Sequence, residues 1–591
     1  MAKMTGSQII VNLLRQNNIN IVFGLPGGMI LPLYNELFVS KMKHVLVRQE
    51  QAAGFMAQGV ARVTGKAAVC MATSGPGAMN LLTAVADARA DSVPLVAITG
   101  QVNTDLIGTD AFQEADTFGL SFPITKHSMM VKSAKELLKA VPLAFAIAES
   151  GRPGPVLIDV PKNVQTEIIE VGDDFEGSFT RIYDEYLKKA EAKKTPESEI
   201  PSIIRKFSEK LINAKKPVLY IGGGANNPKA SSEIRNFISK YKIPCVSSLM
   251  GLGVVPHNDS IFFGMVGMHG SLAANKAMYE SDCVLVAGAR FDDRATGVVE
   301  KFCPEAVRNR SVLHIDIDAA EVNKIIESDF SLIYDTALAF EKLNEIFSEK
   351  NLVSDENSSA RENWFKKIEK FREEEKITLK MDCYAADCCG EKSCGRKNAS
   401  EYKNPRELIA SLPSNENVII TTDVGQHQMW TAQFYDTQRP RQLLTSGSLG
   451  TMGFGLPAAI GAAFAEPEKR VICVSGDGSI LMNIQELATL AENNLNVTVL
   501  VLENGALGMV RQQQEYLFNK NYSASIFMSN PDFLKIAEGF GLRFVNADTD
   551  SDWQKKAFGE KGPCFVLAKI ARYENVLPFV KAGSANINPI M

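Results

Sequence analysis

The sequence predicts an α/β protein built from three doubly wound domains, each with a parallel sheet covered by helices. Short apolar runs alternate with amphipathic helical patterns in three stretches of the chain, which is typical of parallel sheets. Two polar segments, at about 170–200 and 350–403, separate these stretches and lack long apolar runs. We therefore expect domains at residues 1–180, 190–350 and 400–591.

The composition argues against several classes of partner. The chain has 591 residues, of which 45% are hydrophobic, and can bury several cores. Its net charge of -5, without a block rich in lysine or arginine, argues against a nucleic-acid partner. We expect no membrane span and no signal peptide, because no apolar run approaches ~20 residues and the N-terminus reads as an amphipathic helix. Six of the ten cysteines lie in apolar contexts, which fits the reducing cytoplasm.

The remaining four cysteines cluster in the second polar segment. A metal knuckle is one interpretation, and a polar surface insert with reduced thiols is the other. The cluster has no paired Cys-x-x-Cys, and its two adjacent cysteines fit one tetrahedral site poorly, so we favour the insert. The four are Cys383, Cys388, Cys389 and Cys394.

Two polar strand ends in the third stretch predict a phosphate and metal site. An apolar strand at 471–474 runs into Gly-Asp-Gly around Asp477, and a second strand at 497–502 runs into Asn504. Ligands of open α/β sheets bind at the carboxyl ends of strands. The glycines beside Asp477 allow a phosphate to approach the backbone, and the helix that follows directs its N-terminal amides there. Together with diphosphate oxygens, the two side chains suit an octahedral Mg²⁺.

Glu50 poses a separate question. It follows an apolar run and precedes small residues spaced like the buried face of a helix, at Ala52, Ala53, Gly54 and Ala57. A buried carboxylate without a partner is costly. Glu50 is therefore either solvated and ordinary, or it faces a ligand that needs it.

The spacing of 27 residues between Asp477 and Asn504 resembles the thiamine-diphosphate fingerprint. A longer series of ordered motifs resembles the acetohydroxyacid synthase family, also called acetolactate synthase, almost from end to end. The resemblance implies the thiamine-diphosphate-binding fold, with an N-terminal pyrimidine-binding, a central FAD-binding and a C-terminal diphosphate-binding domain. The motifs that carry it include "VFGLPGGMILPLY", "ATSGPGAMN", "IGTDAFQEAD", "RPGPVLIDVPKNVQ", "GARFDDRATG", "TTDVGQHQMW" and "LGTMGFGLPAAIGAA".

The resemblance gives Glu50 a role at the thiamine ring. It implies that Glu50 contacts N1′ of the aminopyrimidine and promotes the tautomer that removes the C2 proton, while Gln113 faces the cofactor from the same domain. It also implies that Met452 wedges the cofactor into its bent form, although without the neighbouring motif a gap-filling core methionine would be the preferred interpretation. Diphosphate contacts are expected from Gly425, Gln426, His427, Gly478 and Ser479. Magnesium ligands are expected from Asp477, Asn504 and the backbone carbonyl of Ala506.

The resemblance also implies an FAD site on the middle domain. A glycine run there follows an apolar strand, but on its own it is a weak signal because the full Rossmann spacing is absent. From the residues alone, the charged cluster around Arg290 is interpreted as a surface ion-pair network. In this family FAD is required but does not turn over with substrate. The implied FAD residues are Arg152, Gly222, Gly223, Gly224, His269, Arg290 and Asp316.

The implied reaction is a carboligation. Pyruvate is decarboxylated on thiamine diphosphate, and the hydroxyethyl carbanion passes to a second 2-keto acid. Pyruvate as acceptor gives 2-acetolactate, and 2-ketobutyrate gives 2-aceto-2-hydroxybutyrate, the first common step of branched-chain amino acid biosynthesis. Many family members carry tryptophan where this chain has Gln513, so we expect weak or no preference for 2-ketobutyrate over pyruvate, with 2-acetolactate as the main product. The positions matched to the substrate channel are Phe112, Lys162, Met265, Val424 and Gln513.

Two rival functions remain at this stage. One is a thiamine- and FAD-dependent pyruvate oxidase, and the other is a catalytically silent regulatory paralogue, which the intact Glu50, Asp477 and Asn504 disfavour. The family builds its active sites between two chains. We therefore expect at least a homodimer with shared sites, together with a small regulatory subunit.

Overall fold

The computed structural model describes residues 2–172, 175–191, 194–349, 355–384 and 402–591. Within them, three six-stranded parallel sheets lie one after another along the chain, each flanked by helices. This arrangement confirms the predicted fold class. In the part of the chain described, no helix combines the length and apolar character needed to cross a bilayer.

The first sheet belongs to the N-terminal part of the chain. Its region contains the strands β1 (Ala2–Thr5), β2 (Ile21–Gly24), β3 (Lys43–Leu46), β4 (Ala68–Ala72), β5 (Leu95–Gln101), β6 (His127–Met130), β7 (Pro155–Pro161) and β8 (Ile168–Val171). Its helices are α1 (Gly6–Gln16), α2 (Leu31–Ser40), α3 (Glu50–Thr64), α4 (Pro76–Ala90), α5 (Thr117–Ser121), α6 (Ala134–Glu149) and α7 (Lys162–Thr166). The parallel sheet has the order β3-β2-β4-β5-β7-β6, and β1 pairs antiparallel with β8.

The second sheet follows in the middle of the chain, with the order β11-β10-β9-β12-β13-β14. Its strands are β9 (Pro217–Ile221), β10 (Cys245–Ser247), β11 (Phe262–Met265), β12 (Cys283–Ala287), β13 (Val312–Asp316) and β14 (Phe330–Ile333). The helices are α9 (Ile200–Asn213), α10 (Pro228–Tyr241), α11 (Leu272–Glu280), α12 (Asp293–Thr296), α13 (Pro304–Arg308), α14 (Thr336–Glu349) and α15 (Asp355–Tyr384). Helix α8 (Ser178–Glu191), which precedes them, packs instead against α6 of the first sheet, where Phe179 contacts Phe145.

The third sheet has the order β16-β15-β17-β18-β20-β19. Its strands are β15 (Val418–Thr422), β16 (Leu443–Leu444), β17 (Arg470–Gly476), β18 (Val497–Glu503), β19 (Arg543–Asn546) and β20 (Cys564–Lys569). The helices are α16 (Pro405–Ala410), α17 (Gln426–Phe434), α18 (Gly455–Ala465), α19 (Asp477–Ile480), α20 (Glu486–Glu492), α21 (Gly508–Leu517), α22 (Phe533–Gly539) and α23 (Trp553–Phe558).

Helix α15 lies in the polar segment that composition marked as a connection. Its residues Trp364, Ile368 and Phe371 are buried in the core of the middle sheet. They recur at the spacing of one helix face, while the remaining positions are mostly charged, so the average polarity of the segment conceals the apolar stripe. Of the clustered cysteines, Cys388, Cys389 and Cys394 lie outside the described residues, as does the side chain of Cys383. The prediction of a surface insert therefore stays a prediction.

Helices α3 and α18 join the first and third sheets. A Cβ atom on Gly59 would lie 2.2 Å from the carbonyl oxygen of Ala458, and one on Gly461 would lie 1.9 Å from that of Met56. Only glycine therefore allows this helix spacing. The small residues Ala52, Ala53, Gly54 and Ala57 of α3 are buried, as predicted, and three of them belong to a core that also contains residues of the third sheet.

Candidate active site

A cavity of about 1300 Å³ lies between the middle and C-terminal sheets and reaches the ends of α3 and α4. It brings together most of the predicted site residues. Those at its C-terminal-sheet end are Val424, Gly425, Gln426, His427, Met452, Asp477, Gly478, Ser479, Asn504, Ala506 and Gln513. Those at its middle-sheet end are Arg152, Gly223, Gly224, Met265, His269, Arg290 and Asp316. The two groups of residues predicted from different motifs thus line one continuous space.

Asp477 and Asn504 follow neighbouring strands, as predicted. Strands β17 and β18 pair in parallel, and Asp477 Oδ2 accepts the Gly505 amide at 2.7 Å. Burial raises the pKa of Asp477 above its ordinary value, and the Glu503 carboxylate raises it further, while hydrogen bonds from Asn530 and the Gly505 amide lower it. A bound divalent cation would favour the ionised carboxylate.

The donor set at this end suits magnesium. It contains the carboxylate of Asp477, the amide oxygen of Asn504 and the carbonyl of Ala506, all hard oxygen ligands. The described residues contain no group of three or more His, Cys, Asp or Glu side chains that could hold a metal. Such a small protein set fits an ion that takes its other ligands from phosphate and water.

His427 presents an unused polar atom to the cavity. Its Nε2 is buried and has no hydrogen-bond partner among the described residues. Burial lowers its pKa to about 3, so the ring is neutral near pH 7. A buried polar atom without a partner is rare in proteins and favours a ligand that completes the bond. The oxygens of a diphosphate are suitable partners for a protonated Nε2.

Gln426 is held by residues that the sequence did not point to. Its Nε2 donates to Gln512 Oε1 at 2.9 Å and to the carbonyl of Glu574 at 2.8 Å. Asn504 Nδ2 donates to Gln426 Oε1 at 3.2 Å, which links Gln426 to the candidate metal ligand. Asn530 likewise donates to Asp477 at 2.8 Å. These contacts join distant parts of the chain, and no local sequence pattern marks Gln512 or Asn530.

The middle-sheet end of the cavity carries arginines and an unpartnered histidine. Arg290 donates to the carbonyl of Ala90 at 2.8 Å and to Ser448 Oγ at 2.6 Å. Arg152 pairs with Glu321 at 2.5 Å. His269 Nε2 has no partner among the described residues, and burial lowers the pKa of this ring to about 4. These donors fit the phosphates and polar edges of a dinucleotide.

The predicted glycine run divides between two roles. Gly223 and Gly224 line the cavity, whereas Gly222 does not. A Cβ atom on Gly222 would lie 2.1 Å from the carbonyl oxygen of Gly288, so this position needs glycine for the approach of two chain segments. Asp316 lines the cavity at the end of β13, and burial raises its pKa to about 6.

Glu50 lies outside this cavity. Its side chain is buried at the start of α3, where Asn80 Nδ2 donates to its Oε2 at 3.0 Å. Gln113 is nearby, since a Cβ atom on Gly75 would lie 2.7 Å from the Gln113 carbonyl oxygen and one on Gly77 would lie 3.3 Å from Glu50 Oε1. The carboxylate therefore has a partner on α4, and neither Glu50 nor Asn80 lines the cavity.

Two predicted substrate residues also lie outside the cavity. Phe112 is 80% exposed, and Lys162 begins α7 without lining the cavity. The segment that carries Phe112 and Gln113 is held by Gln101, whose Nε2 donates to the Ala115 carbonyl at 2.9 Å. Thus Glu50, Gln113, Phe112 and Lys162 do not line the cavity, whereas Arg152 from the same N-terminal part of the chain does.

The domain families of thiamine-dependent enzymes match three parts of the chain. The N-terminal TPP-binding domain of thiamine pyrophosphate enzymes matches residues 4–120, their central domain matches 204–343 and their C-terminal TPP-binding domain matches 423–568. TPP denotes thiamine diphosphate. The C-terminal match contains Asp477, Asn504 and His427, and the N-terminal match contains Glu50.

Curated relatives match the chain over nearly its whole length. The acetolactate synthase isozyme 1 large subunit of Escherichia coli K12 is 44% identical over 99% of this chain and 97% of its own length. The isozyme 2 large subunit of the same organism is 41% identical over 99% and 98%. The acetolactate synthase large subunit of Lactococcus lactis IL1403 is 39% identical over 98% and 95%.

Proposed function

The chain belongs to the acetolactate synthase large-subunit family of thiamine-diphosphate enzymes, and from that premise we propose how its residues perform the synthase reaction. The proposal is that it decarboxylates pyruvate and joins the remaining two carbons to a second 2-keto acid. The pairing of Asp477 with Asn504 at adjoining strand ends, in one cavity with His427, carries this proposal. When bound there, thiamine diphosphate supplies the electron sink that decarboxylation needs.

The C-terminal sheet would hold the diphosphate and its metal. Asp477, Asn504 and the carbonyl of Ala506 are the proposed Mg²⁺ ligands, and His427 Nε2 is a proposed donor to a diphosphate oxygen. Gly425, Gln426, Gly478 and Ser479 complete this end of the cavity, and Met452 is proposed to hold the cofactor bent. Met265, Val424 and Gln513 are proposed to line the acceptor pocket, where apolar walls exclude water.

The active site is proposed to form between two chains. Glu50, Gln113, Phe112 and Lys162 would then act on a cofactor held by the C-terminal sheet of the partner, which accounts for their separation from Asp477 within one chain. Exposed apolar side chains support an interface beside them, since a surface of this kind marks association. Those in the segment around Phe112 and Gln113 are Leu106, Ile107, Phe118, Leu120 and Phe122, and those on the C-terminal part include Leu481, Met482, Phe518 and Met528.

FAD is the proposed occupant of the middle-sheet end. Arg152, Gly223, Gly224, His269, Arg290 and Asp316 supply donors, a close backbone approach and one carboxylate, which suit a dinucleotide. Gly222 would act by allowing the Gly288 segment to approach. We assign FAD no electron transfer, because the full-length relatives are synthases and favour that reaction over the pyruvate oxidase alternative.

A small regulatory subunit is a further proposed partner, because the relatives are named as large subunits.

The six described free cysteines are all buried and unpaired with one another, which agrees with a reducing cytoplasm as the proposed location.

Product analysis tests the reaction. With pyruvate, thiamine diphosphate, Mg²⁺ and FAD, we expect 2-acetolactate, and 2-aceto-2-hydroxybutyrate when 2-ketobutyrate is added.

Glu50→Gln should lower kcat by roughly 100-fold or more while thiamine-diphosphate affinity stays within a few-fold. The substitution removes the carboxylate contact with N1′ of the aminopyrimidine without leaving a cavity. Acetate or acetyl phosphate as the main product would refute the proposal, as would near-normal turnover of the variant.

Mixed dimers test the shared site. One chain carries Glu50→Gln and the other Asp477→Ala, each with its own affinity tag, and the doubly tagged dimer is purified. If sites form between chains, one of the two sites keeps both residues, and we expect about half of the wild-type activity. Each variant alone should be nearly inactive. Activity no higher than that of the single variants would place both residues in one chain's site.

Flavin binding tests the middle-sheet end. Arg290→Ala should raise the Kd for FAD by roughly 10-fold or more, because it removes charge-assisted hydrogen bonds, and should change thiamine-diphosphate affinity less. The matched control is Arg308→Ala, an exposed arginine of the same sheet region, which should leave the Kd unchanged. Flavin-stripped protein should regain activity with a redox-inactive flavin. A need for flavin turnover would favour the oxidase instead.

The acceptor preference tests Gln513, which is half-buried and lines the cavity. One buried methylene is worth ~0.8 kcal/mol by buried area, or roughly four-fold, and closely packed pockets reach ~10- to 200-fold. Because Gln513 offers little apolar contact, we expect less than about 10-fold preference for 2-ketobutyrate over pyruvate in competition. Gln513→Trp should raise the preference and Gln513→Ala should not. A wild-type preference of several tens-fold would contradict this role.

A further inference from the structure

We propose that three buried carboxylates, Asp87, Asp91 and Asp423, are positioning residues that hold segment 446–453 and thereby fix the Met452 side chain in the cavity. This segment connects β16 to α18 without regular secondary structure. The inference rests on the proposed function, because Met452 matters to the reaction only when thiamine diphosphate is bound beside it.

The N-terminal sheet region holds the first part of the segment. Asp91, at the end of α4, accepts the amides of Gly447 at 2.9 Å and Ser448 at 2.8 Å. Asp87, one turn earlier, accepts the Thr451 hydroxyl at 2.9 Å and also the Ser446 hydroxyl. Both carboxylates have no exposed side-chain surface. Four donors spread across six residues of an irregular segment thus end on two adjacent acids.

Arg62 makes this burial of charge tolerable. Its guanidinium lies 2.8 Å from Asp91 and 3.5 Å from Asp87, and only 7% of its side chain is exposed. Burial raises the pKa of Asp87, whereas Arg62 and the amide donors outweigh burial and lower the pKa of Asp91. Ionised acceptors make hydrogen bonds about twice as strong as neutral ones, so the ionised Asp91 is suited to fixing a flexible backbone.

Asp423 holds the other end of the segment. Its Oδ1 accepts the amide of Gly453, directly after Met452, at 2.8 Å. Asn483 Nδ2 donates to the carbonyl of the same residue at 2.7 Å and to Gln51 Oε1 at 3.2 Å. Both peptide groups of Gly453 are therefore bound. Met452 therefore lies between Thr451, held by Asp87, and Gly453, held by Asp423 and Asn483. A side chain that sets the conformation of a cofactor needs placement within about 0.5 Å.

The same segment reaches the proposed flavin end of the cavity. Ser448 receives a hydrogen bond from Arg290 and donates its own amide to Asp91. Arg290 also binds the carbonyl of Ala90, the residue before Asp91. Segment 446–453 thus has Arg290 at one end and Met452 near the other, so the two proposed cofactor ends share one anchored piece of backbone.

Asp91→Asn tests the inference at the end of the segment that does not touch the diphosphate residues. We expect the Kd for thiamine diphosphate, measured by calorimetry with saturating Mg²⁺ and FAD, to rise by about 10-fold or more. Asp282→Asn is the matched control, because Asp282 also accepts two consecutive amides, those of Lys215 and Lys216 at 2.9 Å each, and none of the three residues lines the cavity. It should change this Kd by less than about two-fold.

A double-mutant cycle separates positioning from general support. In a Met452→Ala background, Asp91→Asn should change the Kd by less than about two-fold, because the side chain that Asp91 positions is gone. The inference is overturned if Asp91→Asn raises the Kd for thiamine diphosphate equally with and without Met452. It is also overturned if Asp282→Asn raises this Kd as much as Asp91→Asn does. If Asp91→Asn does not fold, Thr451→Val, which removes one donor to Asp87, enters the same cycle with the same criterion. Wild-type protein that binds no thiamine diphosphate would instead refute the proposed function.

Discussion

The contact between α3 and α18 sets the geometry on which the candidate site depends. Gly59 and Gly461 let the two helices approach until the backbone of each meets the Cα of the other. This contact fixes the first and third sheets relative to each other, since packed interiors transmit small displacements. It also sets the position of α18, whose N-terminus follows Met452, and it keeps Arg62 of α3 within reach of Asp87 and Asp91.

Buried carboxylates hold irregular backbone at several places around the cavity. Asp423 and Asp477 both stand directly after strands of the third sheet, and each accepts backbone amides. Burial raises the pKa of Asp423 to about 6 and also raises that of Asp477. The free-energy cost of burying an ionised carboxylate falls when a cation binds beside it. A ligand that binds only the folded protein also stabilises the fold. Cofactor binding at Asp477 would therefore also strengthen the fold around it.

The sequence predicted those parts of the site that are formed by segments close together along the chain. Asp477 and Asn504 belong to one β-α-β unit, whose consecutive strands are usually neighbours, and β17 indeed pairs with β18 in parallel. The buried small residues of α3 followed from helical spacing. In contrast, the contacts of Gln512, Asn530 and Asn80 join residues distant in the chain, and only the folded structure brings them together. Helix α15 was missed because its apolar stripe is diluted by charged residues.

The position of Glu50 follows from the same helix contact. Because α3 packs along its length against α18, its first residue is directed toward Asn80 and the segment of Gln113 in the N-terminal sheet. Gln51, the next residue, shares Asn483 with Gly453, so the start of α3 and the Met452 segment are mechanically linked within one chain. A displacement at the start of α3, beside Glu50, would therefore also move segment 446–453, which carries Met452. If two chains share their sites as we propose, each chain gives Glu50 to one active site and Met452 to the other. Asn483 then connects these two parts of the chain directly.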